Sequence, residues 1–143
     1  MSPVLVDSCV WITAARQQTD NLLVKLALEA LLNEYVACWC GPVKLEVLGA
    51  ARKEYRKRMA LFFEVIPYLP WDESMWDEAK TLSWQLRDNG HSMPWNDLLI
   101  AVIARRHNAW IYTIDKSFEL MSPYTGVRLY RPAYGGMFNP DYA

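Results

Sequence analysis

The sequence has little cysteine, less histidine and almost no net charge. Its three cysteines, Cys9, Cys38 and Cys40, are odd in number and form no CxxC pair, which argues against a disulfide scaffold or a zinc site. Only His91 and His107 could add to them as soft-metal ligands, so soft-metal chemistry is poorly supplied. Three reduced thiols in a cytoplasmic protein are the expectation. No run of ~18 apolar residues occurs, so no membrane-spanning helix is expected. The opening residues, Met1-Ser2-Pro3-Val4-Leu5-Val6-Asp7, lack the basic start and long apolar stretch of a signal peptide. A net charge of −1 excludes an electrostatic coat for nucleic acid, so any such contact must use a local patch.

What is present is globular. The chain has 143 residues, 52% of them hydrophobic and 22% charged. That length suits one domain, burying roughly two thirds of its unfolded surface. Short apolar runs at 4–6, 36–40, 110–115 and 127–130 read as strands, and 65–69, which contains Pro67, reads as an edge strand. Helical spacing lies between them. Ser8 is placed to cap a helix starting near Cys9. Thr19 or Asp20 is placed to cap a second, with Leu22, Leu23, Leu26, Ala27, Ala30 and Leu31 on its apolar side. Gly41-Pro42 opens a helix that carries Glu46. A basic helix follows over about 52–63. Asp72 is placed to cap a helix with Trp76, Ala79, Leu82 and Leu86 on one face, ended by Asn89-Gly90. Pro94-Trp95-Asn96-Asp97 opens a helix that is apolar all round through Ala104, and so should be buried on most sides. Alternating strands and helices predict an α/β fold, a three-layer α/β/α sandwich with a mostly parallel central sheet. One domain over 1–131 is expected. A tail over 132–143 lacks periodicity and is expected to be tied down by Tyr134, Phe138 and Tyr142.

The acids carry the chemistry. Two strands end in a carboxylate, Asp7 and Asp115. In open parallel sheets, ligands sit beyond the carboxyl ends of the strands, where the strand order reverses. Asp97 opens the buried helix before the Asp115 strand, and Glu46 lies about one helical turn beyond the Cys38 strand. All four can converge on one cleft. Two like charges 4 Å apart cost ~4 kcal/mol at the effective dielectric of protein sites. Such a cluster therefore keeps protons or takes a cation. Oxygen-only donors point to Mg²⁺ or Mn²⁺, and to hydrolysis of a phosphodiester by a metal-activated water. Taken singly, each acid has a plainer role: Asp7 and Asp115 as helix caps, Asp97 at a helix dipole and Glu46 on a solvated face. The joint placement favours the cluster.

The order Val4-Leu5-Val6-Asp7-Ser8, then Pro42-Val43-Lys44-Leu45-Glu46-Val47, then Asn96-Asp97-Leu98-Leu99-Ile100-Ala101, then Thr113-Ile114-Asp115 resembles the PIN-domain nucleases. Within them it is most similar to the VapC-type toxins of toxin–antitoxin pairs. The similarity spans about residues 3–130. It implies a PIN-like fold and a Mg²⁺- or Mn²⁺-dependent endoribonuclease that acts on RNA, forms a homodimer and is silenced by a cognate antitoxin. Asp7 and Asp97 match the family's principal metal ligands, Glu46 and Asp115 the remaining catalytic acids, and Ser8 and Thr113 supporting hydroxyls. Asn96, before Asp97, either adds a polar contact or caps the helix. The tail beyond Arg131 exceeds the compact pattern, and a dimer or antitoxin contact is one role for it.

Other residues carry weaker signals. Lys53, Arg56 and Lys57 sit in a segment of five basic residues and one acid over 52–58. They suit RNA backbone contacts, an acidic antitoxin segment or a solvated face. Trp95 is placed to stack a base, with core packing the plainer role. Trp11, Trp71, Trp76, Trp84 and Trp110 read as core or interface. Arg105 and Arg106 read as partners of a helix C-terminus, His91 as a residue near the cleft, and Cys9 as a small buried hydrophobe. Two alternatives compete with the nuclease: a catalytically silent binding module on the same scaffold, and a Mg²⁺-dependent phospho-acceptor domain. The second is weakened because Cys9 stands where a dehalogenase-type domain needs a second aspartate, and no receiver-type acidic pair is found.

Overall fold

Strand β1 (Val4–Val6) has no exposed residue on either face, as a continuous β-branched run should when helices cover both sides of a parallel sheet. The computed structural model describes residues 2–16 and 19–142. Beside β1 lie β2 (Ala37–Cys40), β3 (Tyr68–Leu69), β4 (Trp110–Tyr112) and β5 (Arg128–Leu129), in the order β3-β2-β1-β4-β5 with every pair parallel. The register sets Leu5 against Cys38 on one side and Ile111 on the other. Because the chain leaves β1 for β2 and later returns to β1's other edge as β4, the strand order reverses between β1 and β4. That is where an open α/β sheet forms its crevice.

Among the described residues, seven α-helices connect and cover the strands: α1 (Ser8–Ala15), α2 (Leu22–Asn33), α3 (Gly41–Val47), α4 (Arg56–Glu64), α5 (Met75–Asp88), α6 (Trp95–Arg106) and α7 (Lys116–Thr125). The result is the expected α/β sandwich. Helix α6 is its buried spine, with Leu98 and residues 100–104 sealed from solvent. Pro42 sits in the first turn of α3, where its missing N–H costs nothing. Gly126 ends α7 in a left-handed conformation that only glycine adopts freely.

Several local expectations are corrected. Asp7, not Ser8, caps α1, accepting from the Ser8 N–H. Helix α2 begins at Leu22 after a 3-10 turn, so Asp20 is not its cap, and the side chain of Thr19 lies outside the described residues. It buries Ala27, Leu28 and Leu31, whereas Leu22 and Leu23 are exposed. The basic segment is split into a 3-10 turn (Lys53–Tyr55) and α4. Ser74 rather than Asp72 precedes α5, with Asp72 accepting from the Ser74 N–H. Strands β2 to β5 are shorter than the apolar runs that announced them. Helix α7, with Pro123 inside it, is an element the sequence reading did not name.

The tail packs back onto the body. Phe138 stacks on Tyr130, Tyr142 meets Trp110 edge-on, and Gly136 sits against α2. Any side chain at Gly136 would come within 3.1 Å of the Ala27 nitrogen and Leu23 oxygen, so the close approach needs glycine. Tyr134 takes no part in this packing and is 97% exposed.

Candidate active site

Asp7 is where the sheet hands its chain to α1. Its backbone N–H completes the ladder by donating to the Tyr112 carbonyl at 2.9 Å. Its carboxylate is buried, at 4% exposure, and each oxygen has its own donors. Oδ1 accepts from the Ser8 N–H at 2.8 Å and, at 3.4 Å, from the Ser8 hydroxyl. Oδ2 accepts from the Thr113 hydroxyl at 2.8 Å and from the Cys9 thiol at 3.2 Å. The Thr113 oxygen in turn accepts from the Asp115 N–H at 3.0 Å. One hydroxyl thus ties the ends of β1 and β4 together across the switch point. Asp115 is exposed and caps α7 by accepting from the Ser117 N–H at 2.9 Å.

The other two acids arrive on helices. Asp97 lies in the first turn of α6, half-buried. Burial pushes its carboxyl up to about 6, helped by the negative charges of Asp7, Asp115 and Glu46. Asp7, Asp115 and Glu46 therefore lie near enough for their charges to act on Asp97. Glu46, on α3, is raised mainly by burial and further by Asp7, with the Ser8 hydroxyl offsetting part of it. One of its oxygens, Oε1, is buried without a hydrogen-bond partner. No ion pair among the described residues involves any of the four acids.

The remaining site expectations divide. Ser8 and Thr113 donate their hydroxyls to the Asp7 carboxylate. Asn96 is the second residue of α6, and Pro94, not Asn96, precedes the helix. Trp95 is 67% exposed, so core packing is overturned. Trp76 and Trp84 are also largely exposed, whereas Trp11 is buried. Lys53, Arg56 and Lys57 are exposed, and the Arg56 Nε donates to the Ala51 carbonyl at 3.0 Å. His91 packs on Tyr124. Arg105 and Arg106 pair with Glu78 on α5 rather than with a helix end.

Cys9 is the residue whose place was missed. It is half-buried in hydrogen-bond contact with Asp7 and Thr113, and its thiol is pushed up to about 11, first by burial and then by the charge of Asp7. The signal lay in its position two residues after Asp7, in the first turn of the following helix.

The donor set fits a hard cation: two half-buried carboxylates and one buried one, crowded without a countercharge, one with an orphaned oxygen. Among the described residues, no three His, Cys, Asp or Glu side chains are gathered tightly enough to enclose a metal by themselves. A Mg²⁺-type site needs no such cage, since Mg²⁺ takes one or two carboxylates and keeps several waters.

Comparison with known proteins bears on the family and the fold. The family model described as PIN domain matches residues 4–122. No curated protein matches. Among solved structures, FitAB bound to a DNA fragment has a TM-score of 0.74 at 18% identity, over 95% of this chain and 97% of that one. FitAcB from Neisseria gonorrhoeae has a TM-score of 0.69 at 17% identity, over 90% and 96%. DNA-bound VapBC from Salmonella typhimurium has a TM-score of 0.67 at 17% identity, over 91% and 98%. At these identities the structures establish a shared fold.

Proposed function

The chain belongs to the PIN-domain family of nucleases, and from that premise we propose that it is a Mg²⁺- or Mn²⁺-dependent endoribonuclease, the toxin of a toxin–antitoxin pair. The observation that carries this is the set of acids Asp7, Glu46, Asp97 and Asp115 about the switch point, where burial first, and then the charges of the other three, push Asp97 up to about 6. Membership in this family leaves the phospho-acceptor alternative without support.

Asp7 and Asp97 would hold the ion, and Asp115 adds negative charge at the cleft. A bound Mg²⁺ or Mn²⁺ would supply an activated water and neutralise charge developing on the phosphate. Glu46, raised by burial and with Oε1 unpartnered, is the group suited to take the proton of an attacking water. Thr113 and Ser8 hold the Asp7 carboxylate in one orientation through hydrogen bonds to its two oxygens. Lys53, Arg56 and Lys57 are the basic residues we assign to the RNA backbone. If so, replacing them lowers the salt slope of binding by roughly 0.7 per lost contact.

The solved relatives include toxin–antitoxin complexes, which supports a cognate antitoxin partner. An apolar groove of about 360 Å³ between α1, α2 and α4, walled by Trp11, Leu28, Met59 and Phe62, suits an apolar segment of it. A homodimer and a cytoplasmic location complete the reading. Among the described residues, no helix is long and apolar enough to cross a membrane.

The test is cleavage of a mixed structured RNA by protein freed of any partner, with Mg²⁺, Mn²⁺ or EDTA, beside Asp97→Asn. Metal-dependent cutting lost by a hundredfold or more in the variant is expected. Equal cutting by the variant would overturn the assignment. Metal binding without cutting by the wild type would favour a silent binding module.

A further inference from the structure

Cys9 is the second residue of α1, and polar atoms surround its sulfur where apolar contacts were expected. The thiol donates to Asp7 Oδ2 at 3.2 Å, and its sulfur lies 3.4 Å from the Thr113 hydroxyl oxygen. The Ile114 backbone N–H acts on the same sulfur as a hydrogen-bond donor. Thr113 and Ile114 directly follow β4. One side chain therefore bridges the start of α1 and the end of β4, 104 residues apart in the chain.

Counting protons shows which way these bonds run. A hydroxyl carries one proton. Thr113 gives its proton to Asp7 at 2.8 Å, and its oxygen accepts from the Asp115 N–H at 3.0 Å. No proton is left for the sulfur, so the thiol is the donor wherever it meets Thr113. Its own proton lies toward Asp7 Oδ2 or toward the hydroxyl oxygen that holds Asp7. The two carboxylate oxygens differ in this respect. Oδ1 is held by the Ser8 backbone N–H at 2.8 Å. Among the described residues, Oδ2 is held by side chains alone, those of Thr113 and Cys9.

Resting on the cation-dependent reading above, we propose that Cys9 is a positioning residue for the cation site. With Thr113 it holds Asp7 Oδ2, and it keeps the turn that carries Asp115 in register with Asp7, without itself ligating the ion. A thiol suits this task. It is a weak donor, so it orients the carboxylate while leaving charge on the oxygen for a cation. Its sulfur is also a weak acceptor, so it meets the Ile114 N–H at the same time. Serine carries both functions, whereas alanine and valine carry neither.

The experiment is calorimetric titration of Mn²⁺, and separately of Cd²⁺, into metal-free wild type, Cys9→Ala, Cys9→Val and Cys9→Ser. Alanine removes the donor, valine removes it but fills the space, and serine keeps it. Thermal melting in EDTA checks that each protein is folded. Cys9→Ala and Cys9→Val are expected to bind Mn²⁺ about tenfold more weakly, the low end of the loss for an outer-shell partner, because a thiol is a weak donor. Cys9→Ser should recover most of the affinity, and Cd²⁺ should follow Mn²⁺ through the series. Equal Mn²⁺ affinity in wild type and Cys9→Ala would overturn the proposal. So would a Cys9→Val protein that matches the wild type, which would reduce Cys9 to packing. A loss confined to Cd²⁺ would also overturn it, by making the sulfur a ligand for soft ions. No RNA enters these titrations. If Mn²⁺ binding falls as expected but the wild type never cuts RNA, the positioning role stands and only the nuclease reading falls.

Discussion

The molecule treats two groups of carboxylates in opposite ways. On the α5–α6 seam, Glu78 is met by Arg106 at 2.9 Å and Arg105 at 3.8 Å, and Arg106 also donates to the Ser74 hydroxyl. Charge is cancelled locally, and the contact joins two helices. At the carboxyl edge of the sheet, no ion pair among the described residues involves Asp7, Glu46, Asp97 or Asp115. Hydrogen-bond donors are supplied to Asp7 and Asp115, but these orient a carboxylate without removing its charge. The first arrangement is self-sufficient. The second is stable only as far as protons or an added cation relieve it, and that difference marks the site.

The sharpest way to break the comparison is through pH. Asp97 is raised from 3.8 to about 6. An acid whose folded pKa exceeds its unfolded one binds more proton in the native state. Stability is therefore full below about pH 4, falls as pH rises to about 6, and stays at the lower level above. A shift of this size corresponds to about 3 kcal/mol at most, and partial solvation of the carboxyl reduces it to about 1–2 kcal/mol. Asp97→Asn removes that burden. In EDTA at pH 7.5 the variant should melt roughly 3–8 °C above the wild type, and the gap should close at pH 4. A variant that melts below the wild type at both pH values would show that the cluster carries no electrostatic strain.

Thr113 sharpens the comparison from the side of orientation. Its hydroxyl donates to Asp7 Oδ2 and accepts from the Asp115 N–H. Valine keeps the branched shape and removes both bonds. Thr113→Val should weaken Mn²⁺ binding ten- to a hundredfold in calorimetric titration, the usual cost of losing an outer-shell partner. Thr113→Ser should restore most of it. Equal affinities in all three proteins would make Thr113 a structural link only.

The sequence made the sheet and the acids legible for physical reasons. Residues 4–6 form an unbroken apolar run ending in a carboxylate, which fits only a buried strand opening onto a crevice. The all-round apolar stretch after Asp97 similarly announced a buried helix. What was hidden depended on neighbours far along the chain. Trp95 and Trp84 carry the same side chain as buried Trp11, and only the packing of α5 beside α6 leaves them exposed. Cys9 joins the cleft because Thr113 arrives from β4, 104 residues away. Helix α7 was masked by Pro123, which lies inside it, at a position where proline interrupts the helical hydrogen-bond ladder.

The smallest expected effect tests the other half of the comparison. Glu78→Gln keeps the shape of the α5–α6 contact and removes its charge. The pair is partly exposed, with side chains between 22% and 38% accessible, so the loss should be about 1 kcal/mol or less. Denaturant unfolding at low and at 1 M salt checks this, since screening should shrink the difference further. RNA cleavage and Mn²⁺ affinity should be unchanged. A carboxylate already neutralised by two guanidinium groups has little charge left to give a cation. If Glu78→Gln instead disturbed metal affinity as much as Thr113→Val, the two groups of acids would belong to one network, and the separation between a structural seam and a reactive edge would fail.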